Sequence, residues 1–537
     1  MNRYLLFLSA LLVGGLVVLA QSRGGNWPTY GGDAQRSGWE GADASITKDS
    51  VKDLRLLWKI KLETQSRGTR PLMPPLIQGR LISYRGFKEL AFVAANSDIV
   101  YAIDADLGTM FWQKHLEYST REPQVTTSSW RCPGGLTAVP TMAAPARGGA
   151  AGRGAPAAGA QRGSAFIGGP ASVYALSSDG RLHRLNTSTG DDMTQPVSVL
   201  PANARAISLN MVDNVMYTVT SHECNGAPNA VWAIDLNVDP PKVRTFELGD
   251  GSSWGLGGPV IGSDGAVYVQ SGDGPADSSN SLLALSPREL KLKHYFSSLS
   301  GRSSHSVSFG DVINVASPAV FAYKDRDLVV SVCSEDRLCL LDSAALGGPD
   351  DSTPMDRTAS VFQRVGGLAN QAERGIWGGL SSWQEMDGTR WVLAPVMGPL
   401  HSDLKVPVAN GPAPNGFIVA FKVQDQGGKT TLTPAWVSRD LNSPLPPVIA
   451  NGVVFALSAG EFTRKISDGV DTVDERPKGS TRATLYALDA RTGRELYSSR
   501  NLITGPAALT GLTVSNGRVY FGGADGTLYA FGMYLEH

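Results

Sequence analysis

Short apolar strands separated by polar turns run the length of the chain. Eight segments repeat one pattern: "VYAID" ending at Asp104, "VYALS" at Ser177, "VWAID" at Asp235, "LLALS" at Ser286, "LCLLD" at Asp342, "IVAFK" at Lys422, "LYALD" at Asp489 and "LYAFG" at Gly532. Each is apolar with a small residue near its middle. Most follow an earlier strand and a turn, as in "GRVYFGGADGTLYAF". Several lead into a Gly-containing turn and another strand, as in "DADLGTMFWQKHL" and "DARTGRELYSS". The stretch Ser252–Pro275 carries a strand, the turn Ser263-Asp264-Gly265 and a second strand, Ala266–Gln270.

The pattern predicts a four-stranded antiparallel sheet per repeat, apolar on both faces. Such a sheet cannot bury both faces alone, so the array must close. Eight repeats of four strands predict an all-β, eight-bladed β-propeller. The last repeat lacks a fourth strand, whereas Leu54–Leu62, "LRLLWKIKL", is a strand with no preceding partners. It is expected to complete the last blade and remove the open edge. Trp58, Trp112 and Trp436 occupy equivalent outer-strand positions, expected to pack between blades. Pro145–Ser164 is an Ala/Gly/Pro/Arg run without periodicity, read as a disordered surface loop; Glu461–Thr481 is a second polar insertion, in the seventh blade.

Composition narrows the classes. The 537 residues are 42% hydrophobic and 18% charged, and the formal net charge of -1 gives no footprint for nucleic acid or an anionic membrane surface. Arg3 followed by the apolar run Tyr4–Ala20, with Val18 and Ala20 at small-residue cleavage positions, reads as an export signal over residues 1–20, with 21–537 as a single propeller domain. A periplasmic location is the expectation, and an uncleaved anchor the alternative. The four cysteines, Cys132, Cys224, Cys333 and Cys339, form no CxxC or CxxCH motif. Cys333 and Cys339 flank a hairpin turn, "SEDR", and a disulfide across two strands is one arrangement open to them. No HExxH, Walker or GxSxG motif occurs, and of the seven histidines only His222 lies beside a candidate site residue.

The opening "NWPTYGGDAQRSGW", Asn26–Trp39, then "LRLLWKIKL" and "YALDARTGRELY" resemble the pyrroloquinoline quinone (PQQ) dependent alcohol dehydrogenases over essentially the whole mature chain. The resemblance implies PQQ and Ca2+ as cofactors. It implies a quinone stacked on Trp254 of "SSWG", and a metal held by Glu223 of "SHECNG" and by Asp273 of "QSGDGP". It implies Asp311 of "GDVINVASP" as catalytic base, with Pro318 at the matching spacing. Ile313 stands where lanthanide-dependent members carry an extra Asp, which points to Ca2+. Cofactor contacts are implied for Cys132, alone where many members carry adjacent cysteines, and for Trp377 of "GIWGG". Glu335 replaces a quinone-binding Arg or Lys, with Arg337 nearby as the substitute cation. Expected partners are a small alcohol or sugar and an external electron acceptor. The alternative is a non-catalytic propeller that offers its rim to proteins or holds a ligand without turnover.

Overall fold

A computed structural model describes residues 25–65, 70–83, 86–119, 132–142, 172–249, 255–271, 281–297, 316–334, 336–363, 375–460 and 479–533. They form eight antiparallel sheets arranged as a propeller. Blade 1 runs Leu76–Ser83, Gly86–Ala95, Ile99–Asp104 and Thr109–His115 from hub to rim. Blade 3 runs Asn210–Val212, Val215–Thr220, Ala230–Asp235 and Lys242–Glu247. Blade 8 is Thr513–Ser515, Arg518–Gly522 and Thr527–Gly532, and its outer strand is Arg55–Lys61 from the other end of the chain. That strand pairs antiparallel with Thr527–Gly532, so the expected closure is present. The leader and the insertion Pro145–Ser164 lie outside the described residues, as does most of Glu461–Thr481.

Blade 2 corrects the repeat register. "VYALS" supplies its second strand, Ser172–Leu176, and the third strand is Arg181–Asn186. Both strands are apolar enough to pass for the repeat. The turn that follows the third strand distinguishes it, and in blade 2 that turn is "NTSTG" after Asn186. Blade 6 departs from four regular strands. Its inner edge is split into Gly375–Ile376 and Ser381–Gln384, and Val408–Ala409 adds parallel to the outer strand Lys429–Val437.

The tryptophans explain the small residue of the repeat. Trp58, Trp112 and Trp436 lie opposite Ala530, Ala102 and Ala420, the central alanines of "LYAFG", "VYAID" and "IVAFK". Each indole also crosses to the next blade. Trp58 donates to Ala105 O at 2.9 Å, Trp112 to Thr187 O at 2.9 Å and Trp436 to Ala490 O at 3.0 Å. The receiving turns end in Gly108, Gly190 and Gly493, at φ 66°, 78° and 69°. A Cβ there would come within 2.5, 2.7 and 2.4 Å of indole atoms, so only glycine lets the ring lie flat on the turn. The predicted packing between blades therefore holds at three seams: 8 to 1, 1 to 2 and 6 to 7.

Candidate functional site

Antiparallel order sorts the connections into two faces. Links between first and second strands, and between third and fourth, emerge on one face, here the turn face. Links between second and third strands, and from one blade to the next, emerge on the other, here the loop face. Cys132, Glu223, Arg337 and Trp377 all belong to connections or strand ends of the loop face. Trp254, Asp273 and Asp311 lie outside the described residues, as does Glu335.

Two segments join the inner parts of the blades beneath the loop face. One is a strap, Trp27–Glu40, which the sequence reading did not foresee. It bonds to blade 1 through Trp27 and Ile77, to blade 2 through Pro28 O and Met142 N, and to blade 4 through Ala34 O and Ile261 N. It leaves along blade 7, where Trp39 and Glu40 pair in parallel with Ile449 and Ala450. Arg36 pins its middle. The guanidinium is 2% exposed and donates to Thr29 Oγ1, to Tyr30 O at 2.7 Å and to Leu209 O at 2.9 Å. Burial pulls its pKa down to about 9, against the nearby Asp33 carboxylate.

The other is Gly255-Leu256-Gly257-Gly258. Leu256 N donates to Gly378 O of the blade 6 entry at 2.6 Å, and Leu256 O accepts from Ser208 Oγ of the blade 3 entry at 2.7 Å. A Cβ on Gly255 would come within 2.3 Å of Ser317 Oγ. The glycines after Trp254 therefore let backbone meet backbone at the centre of the ring. A cavity beside the strap, bordered by Tyr30, Arg36, Ser317 and Ser381, has room for about one water molecule.

Glu223 lies in the blade 3 loop Ser221–Asn229. His222, Glu223 and Asn225 adopt left-handed backbone, at φ 67°, 50° and 56°. Each such residue costs about 1 kcal/mol unless its surroundings enforce it. Here they do. Glu223 N donates to Asn229 Oδ1 at 3.2 Å, Asn225 Nδ2 to Ala202 O at 2.6 Å, and Arg205 Nη1 lies 3.2 Å from His222 Nδ1. Cys224 is disulfide-bonded to Cys132, 92 residues earlier, with Cα atoms 5.4 Å apart. The Glu223 side chain is exposed, and its carboxylate bonds to nothing among the described residues. Asn225 Oδ1 is buried without a hydrogen-bond partner. Carboxylate and amide oxygens are hard donors of the kind Ca2+ takes, and the exposed Glu223 carboxylate is the one that faces outward. Among the described residues no three of His, Cys, Asp and Glu gather into a complete metal site.

The other candidates are held more firmly by protein. Cys333 and Cys339 form a disulfide with Cα atoms 5.6 Å apart, closing the "SEDR" turn. Arg337 donates to Thr358 O at 3.2 Å, on its own blade. Trp377 is 2% exposed and donates its indole N–H to Pro444 O at 3.0 Å, so it joins the entries of blades 6 and 7.

A hydrogen-bond chain that no motif announced lies at the seam of blades 1 and 2. Ser177 Oγ is 3.1 Å from His183 Nε2, and His183 Nδ1 is 2.9 Å from Asp192 Oδ1. These are the distances of a nucleophile with its base. Ser177 is nevertheless 3% exposed, and its oxygen already contacts Asp179 Oδ1 at 2.5 Å and Arg181 O at 3.1 Å. A substrate has no approach to it, so the chain is packing.

No protein-family model and no curated protein matches the sequence. The fold is similar to solved quinoprotein structures. Against the quinohemoprotein alcohol dehydrogenase from Comamonas testosteroni the TM-score is 0.57 at 15% identity, covering 97% of this chain and 83% of that one. Against a europium-containing methanol dehydrogenase it is 0.57 at 12% identity, covering 97% and 100%. Against the quinohemoprotein alcohol dehydrogenase ADHIIG from Pseudomonas putida HK5 it is 0.53 at 13% identity, covering 95% and 80%. At these identities the likeness defines the fold alone, an eight-bladed propeller.

Proposed function

We propose that this protein is a divergent quinoprotein, a Ca2+- and PQQ-dependent dehydrogenase of a small alcohol or sugar, exported through Tyr4–Ala20. The observation that carries the reading is Glu223. Its carboxylate is left unpaired on the loop face, on a left-handed loop that the rest of the blade enforces. In this reading Glu223, with Asp273, holds Ca2+, and Trp254 sets the plane of the quinone. PQQ supplies the two-electron oxidant when bound. Asp311 accepts the hydroxyl proton of the substrate. Arg205 and Arg337, on the same face, favour an anionic cofactor. An external acceptor takes the electrons, because the chain has no haem-attachment motif.

A second reading, a ligand held without turnover, is favoured by one observation. Trp377 gives its one indole N–H to Pro444 O, and Arg337 ties one guanidinium N–H to Thr358 O. One experiment separates the two. The full chain is loaded with PQQ and Ca2+, and cofactor binding and dye reduction are measured over an alcohol and aldose panel. The dehydrogenase reading expects both, and expects Asp311→Asn to abolish dye reduction while binding survives. Binding without dye reduction supports the second reading, and absence of binding rejects both.

A further inference from the structure

We propose that the Cys132–Cys224 disulfide is a positioning device for Glu223, and that cation affinity at this loop depends on it. The proposal rests on the cation-binding reading above. Three observations converge on it. The bridge attaches at Cys224, next to Glu223, and ties the blade 3 loop to Cys132 of the connection that enters blade 2. The loop it grips has three non-glycine residues in left-handed backbone, which relaxes when its anchors are removed. Hydrogen bonds hold the loop as well, among them Asn225 Nδ2 to Ala202 O and Ser221 N to Arg205 O, but the disulfide is its covalent link to the connection that enters blade 2.

The distribution of cysteines supports the same conclusion. All four cysteines of the chain are spent on second-to-third-strand loops of the loop face or on their attachment. On the turn face, side-chain oxygens do the equivalent work. Asp104 Oδ1, for example, accepts from the backbone N–H of Asp106 and of Leu107, each at 3.1 Å. A turn that only reverses the chain is held by its own side chain. The Glu223 loop carries a covalent link to another blade, which fixes where its carboxylate stands relative to the neighbouring connection. Support of this kind around a ligand changes metal affinity by about 10–100-fold when it is lost.

The test is a Ca2+ titration by calorimetry of the full chain pre-equilibrated with PQQ, on five proteins. They are the wild type, Glu223→Gln, the pair Cys132→Ser with Cys224→Ser, the combination of those three substitutions, and the control pair Cys333→Ser with Cys339→Ser. The expected result is an affinity loss of about tenfold or more for the cysteine pair. Its effect vanishes on the Glu223→Gln background, because the bridge acts through that carboxylate. Cys333→Ser with Cys339→Ser leaves the affinity unchanged. A bridge that merely stabilises the fold lowers the unfolding temperature and leaves Ca2+ affinity intact, and that result overturns the proposal. If the wild type binds no Ca2+, or Glu223→Gln binds it as the wild type does, the cation-site reading fails and the proposal with it. If Glu223→Gln loses affinity and the cysteine pair does not, only the positioning role fails. Should the cysteine pair not fold, mild reduction and alkylation of the folded wild type replaces it, with mass spectrometry reporting which bridge has opened.

Discussion

The two faces of the ring are built by different chemistry. On the turn face the same local device recurs. Asp104, Asn186 and Asp489 each receive the N–H of the glycine four residues on at 2.8 Å, and a tryptophan of the preceding blade lies over that glycine. Among the described residues the loop face shows no such shared device. Blade 3 has left-handed residues and a bridge to a distant cysteine, and blade 5 has its own short bridge. The difference teaches where stability and presentation are separated. Repetition locks three seams from one side, and the opposite side varies from loop to loop.

The largest effect should come from breaking a turn-face lock. Trp436 is fully buried, and Trp436→Ala removes its packing on Gly493 and its bond to Ala490 O. The expected loss is about 3–5 kcal/mol in urea unfolding, with cation binding retained in the folded fraction. A loss under about 1 kcal/mol would mean that the seams are held by something else.

The strap comes next. Arg36→Met keeps the apolar stem but leaves Tyr30 O without this donor and Leu209 O with the Thr29 hydroxyl alone. About 2 kcal/mol of destabilisation follows, from the lost charge-assisted bonds in the buried hub. An unchanged stability would show that the hub does not need this cation, as for buried charges that apolar side chains replace without loss.

The smallest effect belongs to the loop face and depends on pH. Asp98, 2% exposed, joins blade 1 to blade 2 by accepting from Ser178 N at 2.6 Å, and burial raises its pKa to about 6. The native state therefore holds the proton more tightly than the unfolded chain. The stability this contributes is full below about pH 4 and is lost as pH rises through 6. Asp98→Asn keeps an acceptor and cannot ionise. Its unfolding free energy should lack the decline of up to about 2 kcal/mol that the wild type shows between pH 4 and 7. Parallel pH profiles for the two proteins would remove Asp98 from the account.

The turn face was legible in the sequence because its rules are local. A tryptophan at one outer-strand position and a glycine four residues beyond an Asp or Asn predict blade packing without knowledge of distant contacts. Blade 2 was misread because its second strand carries the same apolar pattern as a third strand, and only the "NTSTG" turn marks the difference. Arg36 was not legible as a hub residue. Its partner Leu209 is 173 residues away, and nothing in "GGDAQRSGW" signals that distance. The two disulfides divide in the same way. Cys333 and Cys339, six residues apart, could be paired from one hairpin, whereas Cys132 and Cys224 are 92 apart and meet only once blades 2 and 3 are in place. Of the site residues named from the family resemblance, Glu223 stands free on the loop face, while Trp377 is packed into a seam.

The most direct test of the central claim, that the loop face holds a cation and a quinone through Glu223, is a visible-absorbance titration of PQQ into the full chain. It is run with Ca2+ and with chelator, for the wild type and Glu223→Gln. The account predicts saturable, Ca2+-dependent PQQ binding by the wild type. It predicts a loss of about tenfold or more in Glu223→Gln, with the unfolding temperature unchanged. PQQ binding that is absent, indifferent to Ca2+ or unaltered by Glu223→Gln would contradict it.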